Sequence, residues 1–378
     1  MGERGLQGRW RWGWPVMLLG LAAAVPLLVW LGWSAISGSS DGTDVGGPVD
    51  PSAPGYQAYV DPTPTLLLIH GDGDGLEGVT LLALTDPGVE GAVLFLAPET
   101  STPAGPLSVR WDQAGSSGVA DGVAELLGVR AGELQVADDG GWAALVSAVA
   151  PISFDNPDVL VSATGEARFE SGALALAAAD VGPYLGWRNP GESPVAALFR
   201  HELFWGVWLE KAALSASPDV FPGEDDRGVG RFGRALAKGR VRLEALPVIV
   251  DAGGAVVLDA AAVGEMVNEV IPFPNSASGG NSARVRLLNG TGDPALIPNA
   301  ARSLSRAGAQ ITIIGNASEF GWETTKIAYH HVGFASYAEG YRDALGAGSV
   351  VAEEQPASSI DITVTFGADF APVPGGGG

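Results

Sequence analysis

One uninterrupted apolar segment near the N-terminus constrains this chain more than any other feature of its sequence. Residues 14–36 (WPVMLLGLAAAVPLLVWLGWSAI) contain no charged side chain. A helix of about 20 apolar residues is long enough to cross the hydrocarbon core of a bilayer. The sequence therefore predicts a transmembrane helix at 14–36, and because no later segment is comparable, we expect a single span.

The charges that flank this segment predict its orientation. Arg4, Arg9 and Arg11 precede the segment, whereas Asp41 and Asp44 follow it. Positively charged residues stay on the cytoplasmic side of a membrane helix. We therefore expect residues 1–13 to form a cytoplasmic tail, and the bulk of the chain to lie outside the plasma membrane.

A cleaved signal peptide is the alternative to an uncleaved signal-anchor. Ala35-Ile36-Ser37 has the small residues of a cleavage site. The apolar run is longer than the usual core of a signal peptide, which has about 7–15 residues. Its length favours the anchor, and cleavage is left open.

The charge and the absence of cysteine exclude several classes of function. The chain has a net charge of -22, and since residues 1–13 carry three Arg and one Glu, the part beyond them carries -24. Such a surface repels nucleic acid, so we expect no nucleic-acid partner. With no cysteine, the chain has neither a thiolate nucleophile nor a thiolate metal ligand.

Changes in composition divide the rest of the chain into segments. Residues 37–60 are rich in Gly, Ser, Pro and Asp and are predicted to be a flexible linker, and 272–283 a second linker. Strands alternate with helices in both intervening parts, which indicates the α/β class. We expect a layered α/β domain at 61–271, a small mixed α/β domain at 284–370 and a disordered tail at 371–378.

Several short motifs match known sites only in part. Gly73-x-Gly75-x-x-Gly78 precedes a predicted strand and not the helix that a dinucleotide site needs. Asp72-x-Asp74-Gly75 lacks the further oxygen ligands of a calcium loop. His330 and His331 are adjacent in a predicted strand and face opposite sides, so they cannot hold one metal ion. These motifs are interpreted as turns and strand residues, and no metal site is expected.

Four stretches in the last quarter of the chain carry a family resemblance. They are VRLLNGTGDPAL (Val285–Leu296), ARSLSRAGAQITIIGNA (Ala301–Ala317), TTKIAYH (Thr324–His330) and IDITVTFGADF (Ile360–Phe370). In this order and spacing they resemble the LytR C-terminal domain of bacterial cell-envelope proteins. No catalytic constellation is visible among them.

The preceding domain resembles the LytR-CpsA-Psr domain, through a more divergent set of stretches. They include TLLLIHGDGDGLEGVTLLALTD (Thr65–Asp86), VLFLAPET (Val93–Thr100) and LFRHELFWGVWLEKAAL (Leu198–Leu214). The resemblance implies an enzyme that moves a glycopolymer from a polyprenyl pyrophosphate lipid to the cell wall. It also implies a long pocket for the lipid, arginines for the pyrophosphate and acidic residues for Mg²⁺.

This chain departs from the family pattern at most of the charged positions. Leu76 and Gly78 stand where the family has an Arg and an Asp, and Glu99 and Thr100 replace another such pair. In the long helix Arg200 is kept, and Leu203 occupies the place of the second arginine.

Replacing Arg by Glu turns attraction of pyrophosphate into repulsion. We therefore expect a degenerate domain that keeps the fold without the reaction, and Arg200 in a surface ion pair with an acid other than Glu202.

These observations favour a non-catalytic binding or scaffolding role in cell-wall glycopolymer attachment or envelope maintenance. Glycopolymer or envelope proteins are the expected partners, with no cofactor and no catalytic residue. The alternative is a phosphotransferase with a rearranged site built from Asp72, Asp74, Arg110 and Arg200 together with Mg²⁺. A transcriptional attenuator, a role once proposed for the family, conflicts with the exported topology and the negative charge.

Overall fold

The fold is described from a computed structural model of the chain. It covers residues 48–215, 217, 220–223, 226–250, 255–275, 282–355 and 358–370. The predicted cytoplasmic tail, the transmembrane helix at 14–36 and the C-terminal tail lie outside these residues and stay predictions. Within the covered ranges, no helix combines the length and apolarity needed to span a membrane.

The described chain contains nineteen strands and eight α-helices. The strands are β1 Gln57–Tyr59, β2 Thr65–Asp72, β3 Gly75–Asp86, β4 Glu90–Leu96, β5 Ser101–Thr102, β6 Gly105–Pro106, β7 Glu133–Ala137, β8 Ile152–Asn156, β9 Leu160–Val161, β10 Ala167–Phe169, β11 Gly172–Leu176, β12 Arg240–Ala245, β13 Val248–Val250, β14 Val256–Leu258, β15 Arg284–Asn289, β16 Gln310–Asn316, β17 Lys326–Tyr329, β18 Ser349–Ala352 and β19 Ile362–Phe366. The helices are α1 Leu107–Leu127, α2 Asp139–Val146, α3 Ala178–Gly186, α4 Pro194–Ala213, α5 Gly228–Leu236, α6 Ala260–Val270, α7 Ile297–Arg306 and α8 Ala335–Leu345.

A five-stranded sheet with the order β12-β4-β3-β2-β7 forms the centre of the first unit, which spans 61–275. β2, β3 and β4 are antiparallel neighbours, whereas the outer strands β12 and β7 run parallel to β4 and β2. The carboxyl ends of β2 and β7 therefore meet at one edge of the sheet.

Both faces of this sheet are covered by helices. Successive side chains of a strand point to opposite faces. Accordingly, Leu66 and Leu68 pack with α2–α5 on one face, whereas Leu67 and Ile69 pack with α1 and α6 on the other. The result is a three-layer α/β/α unit, and the predicted α/β class is confirmed.

The layer between the sheet and α4 is filled by aromatic side chains. Trp142, Phe204, Trp205 and Trp208 are each at most 1% exposed, and their rings contact one another with centroid distances of 4.9–6.0 Å. Edge-to-face contacts at such distances stabilise aromatic cores. The resemblance implies a long lipid pocket, and here the space between this helix and the sheet is filled by ordinary apolar core.

The C-terminal unit is built on a six-stranded sheet with the order β1-β16-β15-β19-β17-β18. Its core is formed by residues such as Val285, Leu287, Leu304, Tyr341 and Phe366. α7 and α8 pack on this core, as the predicted mixed α/β domain requires.

One strand of this second sheet comes from the segment that was predicted to be a linker. β1 pairs antiparallel with β16, with Gln57 opposite Gly315. The Asn316 side-chain amide donates to the carbonyl oxygens of Pro51 and Ala53 at 2.9 and 2.8 Å. Residues 57–59 are therefore part of the C-terminal sheet, and the linker prediction for 37–60 is wrong at these positions.

The segment predicted as the second linker is attached to the first unit where it is described. Thr63 N–H donates to the Phe273 carbonyl oxygen at 2.7 Å, and Phe273 N–H donates to Thr63 Oγ1 at 3.1 Å. Across the two units, Asn268 Nδ2 donates to Asn299 Oδ1 at 2.6 Å. Residues 276–281 lie outside the described part.

Candidate functional site

The carboxyl edge of the central sheet brings three chemically active side chains together. His70 lies near the end of β2. Ala137, its neighbour across the parallel pairing, ends β7, and Asp139 begins α2 two residues later. Glu77 lies on β3 at a register shift opposite His70 and Gly71. A β-bulge redirects a side chain, and here it accounts for a Glu77 carboxylate that reaches the His70 ring.

We call these residues the His70 cluster: His70, Glu77 and Asp139. His70 Nε2 lies 2.8 Å from Glu77 Oε2 and 3.4 Å from Asp139 Oδ1. One donor atom from each residue lies within 4.8 Å of the other two. The side chain of His70 is 3% exposed and that of Asp139 is 52% exposed, so the cluster is closed on its inner side and open on its outer side.

Glycines of α3 allow the helix to approach the two carboxylates. A Cβ at Gly182 would overlap Asp139 Oδ1, and a Cβ at Gly186 would overlap Glu77 Oε2. These residues are four apart and lie on the same side of the helix. The cluster is therefore covered by a backbone surface that has no room for a side chain.

The electrostatics of the cluster favour a positive charge between the carboxylates. Burial and then the charge of Glu77 raise the pKa of Asp139, although His70 acts in the opposite direction. Asp72, the last residue of β2, raises the pKa of Asp139 further. A bound proton or cation would relieve this repulsion.

Arg200 lies in a second, separate arrangement at the start of α4. Its guanidinium is paired with the Glu192 carboxylate and donates to the Trp187 carbonyl oxygen, and the residue is 3% exposed. Glu192 also accepts the Asn189 N–H at 2.9 Å. Burial alone would raise the pKa of Glu192, but these hydrogen bonds and the charges of Arg200 and Arg188 lower it.

The predicted ion pair of Arg200 is therefore present, but its predicted location on the surface is wrong. Arg200 does form an ion pair with an acid other than Glu202, whose carboxylate accepts the Ala245 N–H at 2.7 Å. The pair is buried, however, and not on the surface. Its guanidinium donors point into the protein, toward the loop that carries Trp187 and Glu192.

His201 lies beside Gly78, the position where the family resemblance implies an aspartate. Its ring packs against Gly78, and its Nε2 lies 3.0 Å from the Leu185 carbonyl oxygen. Burial, then the nearby charges of Arg188 and His70, lower the pKa of His201 to about 3. His201 is therefore neutral at physiological pH.

The four predicted ligand residues make mostly separate contacts among the described residues. Asp72 ends β2 and Asp74 lies in the turn that follows, where Asp72 Oδ1 accepts the Asp74 N–H at 2.7 Å. Arg110 lies on α1 and donates to Glu125 Oε2 at 2.8 Å and to the Gly118 carbonyl oxygen at 2.9 Å. No described hydrogen bond or ion pair joins these residues to one another beyond the Asp72–Asp74 contact, and a ligand-binding role for them stays a prediction.

The two histidines that were excluded as a chelating pair make separate hydrogen bonds. His330 Nδ1 lies 2.9 Å from the Glu353 carbonyl oxygen and its Nε2 lies 2.8 Å from Thr363 Oγ1. His331 Nε2 lies 3.3 Å from the Ser358 carbonyl oxygen. The histidine that does meet acidic groups is His70, which the sequence placed only in a buried strand.

Comparison with known proteins identifies the C-terminal unit. Residues 282–370 match the family described as LytR cell envelope-related transcriptional attenuator. The C-terminal unit is a LytR C-terminal domain. This confirms the predicted domain at 284–370. No curated protein matches the chain at a significant level.

Solved structures resemble the fold at low sequence identity. A structure of TagT bound to LIIa-WTA covers 59% of this chain and 93% of its own, at 13% identity and a TM-score of 0.44. Bacillus subtilis TagV covers 56% and 98%, at 11% identity and a TM-score of 0.44. A transcriptional regulator from Enterococcus faecalis covers 55% and 88%, at 15% identity and a TM-score of 0.43.

TagT and TagV are LytR-CpsA-Psr proteins, the family that the first unit was expected to resemble. At these identities and TM-scores, the similarities do not assign its chemistry.

The residues of the His70 cluster do not fit the Mg²⁺ that the resemblance implies. Mg²⁺ prefers an octahedron of oxygen ligands. The central donor of the cluster is an imidazole nitrogen, which suits zinc, copper, iron and nickel. No reaction step through Mg²⁺ is therefore derived from these residues.

Proposed function

We propose that this chain is a membrane-anchored, extracytoplasmic cell-envelope protein whose first unit binds or scaffolds and does not transfer glycopolymer. The LytR C-terminal domain supports the envelope assignment. The apolar segment at 14–36 and its flanking charges support the anchor and the orientation.

The buried ion pair of Arg200 is the observation that carries the non-catalytic part of the proposal. A pyrophosphate clamp needs guanidinium donors that face the ligand. The terminal nitrogens of Arg200 donate to Glu192 and to the Trp187 carbonyl oxygen inside the fold, and its Nε is buried. A phosphate would have to displace a buried carboxylate in order to reach them.

Acidic side chains lie close to Arg200 and Arg188, where a phosphotransferase would need unpaired positive charge. Glu99 stands at a position where the resemblance implies an arginine, and its Oε2 is buried without a hydrogen-bond partner among the described residues. Arg188 lies nearby, where burial lowers its pKa and the charges of Glu99 and Glu192 raise it. A doubly charged ligand would have to compete with these two carboxylates for the two arginines.

Binding of a polyprenyl pyrophosphate analogue to the full chain in detergent tests this proposal. We expect no saturable binding with or without Mg²⁺, and no difference between the wild type and Arg200→Ala. Arg240→Ala is the matched control, because Arg240 is 82% exposed and pairs only with Glu90 in the described chain. Tight, Mg²⁺-dependent binding that Arg200→Ala alone abolishes would contradict this proposal and favour the phosphotransferase alternative, for which turnover would then be measured.

A topology experiment tests the anchor separately. Reporter fusions after residue 13 and after residue 370 should report cytoplasmic and extracytoplasmic positions, respectively. Membrane extraction should require detergent if the segment at 14–36 is retained. Release of a shortened protein into the soluble fraction would favour the cleaved signal peptide.

A further inference from the structure

The His70 cluster combines a nitrogen donor and two oxygen donors from three different elements. His70 comes from β2, Glu77 from β3 and Asp139 from the first turn of α2. The cluster differs from a simple acidic patch because its centre is a buried imidazole. Neither nitrogen of this ring makes a hydrogen bond of regular geometry to a described residue, although Nε2 lies close to both carboxylates.

The separations of the donors are close to those of a metal site. Bonds of about 2.0–2.2 Å in a tetrahedral zinc site place neighbouring donor atoms about 3.4 Å apart. His70 Nε2 and Asp139 Oδ1 are 3.4 Å apart, and His70 Nε2 and Glu77 Oε2 are 2.8 Å apart. Only a small outward movement of the Glu77 carboxylate is needed, and its side chain is 34% exposed on the open side of the cluster.

We propose that His70, Glu77 and Asp139 bind one divalent transition-metal ion, with Zn²⁺ preferred over Mg²⁺. The ion would join the ends of β2 and β3 to the start of α2, and the solvent-facing side would leave a coordination position for water. The inference does not depend on the proposed envelope role, since it rests on the donor set alone.

A metal-free cluster is the competing state of the same residues. In that state the His70 ring contacts the Glu77 and Asp139 carboxylates directly, without any ion between them. The two states differ in what they predict for added metal. A metal site binds one equivalent of Zn²⁺, whereas a cluster held together only by its own side chains binds none.

Calorimetric titration of the full chain in detergent, free of any histidine tag and stripped with a chelator, tests the proposal. At pH 7 we expect one Zn²⁺ per chain and at least about tenfold weaker binding of Mg²⁺. Asp139→Asn should weaken Zn²⁺ binding at least about tenfold without loss of fold, because this side chain is half exposed. Asp112→Asn, an exposed acid on α1, is the matched control and should bind like the wild type.

A second variant and a spectroscopic probe complete the test. His70→Gln should abolish binding, and Co²⁺ in place of Zn²⁺ should give a visible absorption band that is absent in this variant. If His70→Gln does not fold, Asp139→Asn still decides the question. The proposal is overturned if the wild type takes up no Zn²⁺, if Asp139→Asn binds Zn²⁺ like the wild type, or if Mg²⁺ binds equally well.

Discussion

Removal of Glu192 tests whether Arg200 is a structural residue. In the folded chain the Arg200 guanidinium is paired with Glu192 and the Trp187 carbonyl oxygen, and the two side chains are 4% and 12% exposed. Glu192→Leu would leave the guanidinium buried with a single acceptor. Breaking a buried pair by removing one partner destabilises a protein by about 3–5 kcal/mol. We expect the free energy of unfolding to fall by that amount.

The reciprocal change and the double change supply the control. Arg200→Met leaves Glu192 closer to solvent and still bonded to the Asn189 N–H, so its effect should be at the lower end of that range, about 3 kcal/mol. Replacement of both charges by apolar residues of similar volume is often neutral or stabilising. The double variant should therefore lie within about 1 kcal/mol of the wild type, which is far from the sum of the single losses.

Denaturant unfolding followed by near-ultraviolet circular dichroism is the suitable assay, because the buried tryptophans of α4 report directly on this unit. A loss of less than about 1 kcal/mol in Glu192→Leu would refute the reasoning. So would a double variant whose loss equals the sum of the two single losses. Either result would mean that the pairing with Glu192 does not hold the guanidinium in place.

Three further predictions concern other parts of the fold. The pKa of Asp139 is raised above 3.8, so its ionisation disfavours the folded state. Asp139→Asn should therefore raise the Tm of the metal-free protein at pH 7. In thermal unfolding scans, this difference in Tm should vanish below pH 3.8. The pKa of His201 falls from 6.5 to about 3 on folding. The free energy of unfolding of the wild type should therefore decrease as the pH drops below 6.5, by up to about 1.4 kcal/mol per pH unit. His201→Gln should lack this pH dependence when unfolding is measured between pH 7 and 5. A Cβ at Gly315 would overlap the Tyr56 carbonyl oxygen, so Gly315→Val should displace β1, and hydrogen exchange of residues 57–59 should rise at least about tenfold.

Much of the layered α/β arrangement can be predicted from the pattern of apolar residues in the sequence. The apolar runs at 65–70, 79–85 and 92–97 predict strands, and they lie within or close to β2, β3 and β4. The segment 260–270 predicts a helix, and α6 spans Ala260–Val270. The strand segments are short apolar runs bounded by turn residues, which is the pattern of a strand buried on both faces. The local sequence is sufficient to predict these elements because their apolar pattern follows directly from their burial.

Helix α1 shows where local patterning fails. The segment 120–127, which Gly128 follows, predicts a helix from residue 120 only, whereas α1 begins at Leu107. The intervening sequence includes Gly115, Ser116 and Ser117, which are poor helix formers, and Gly115 has a φ of +60° that interrupts the helix. The apolar partners that hold the first part in place, such as Leu107 against the central sheet, are contacts that the local pattern does not contain.

The sequence indicates the candidate site only through the family residues that this chain lacks. Leu76, Gly78 and Glu99 are visible departures from a family pattern, but the residues that took up the space come from distant segments. His70 meets Asp139 because β2 and β7 are parallel neighbours, and Glu77 reaches the ring because of a bulge in register. The period-two pattern of a strand predicts neither event, since strand pairing and register are tertiary properties.

The pairing of β1 has a consequence for the position of the LytR C-terminal domain. Residues 37–56 separate the predicted anchor from β1, and 20 residues of fully extended chain span at most about 70 Å. Only residues 60–64 separate β1 from β2 of the first unit, a reach of at most about 18 Å. If the anchor is retained, the domain that comes last in sequence is therefore the first that the tether reaches outside the membrane. The point where the tether joins the domain then lies at most about 70 Å from the bilayer, which places membrane-proximal envelope components within reach of the domain.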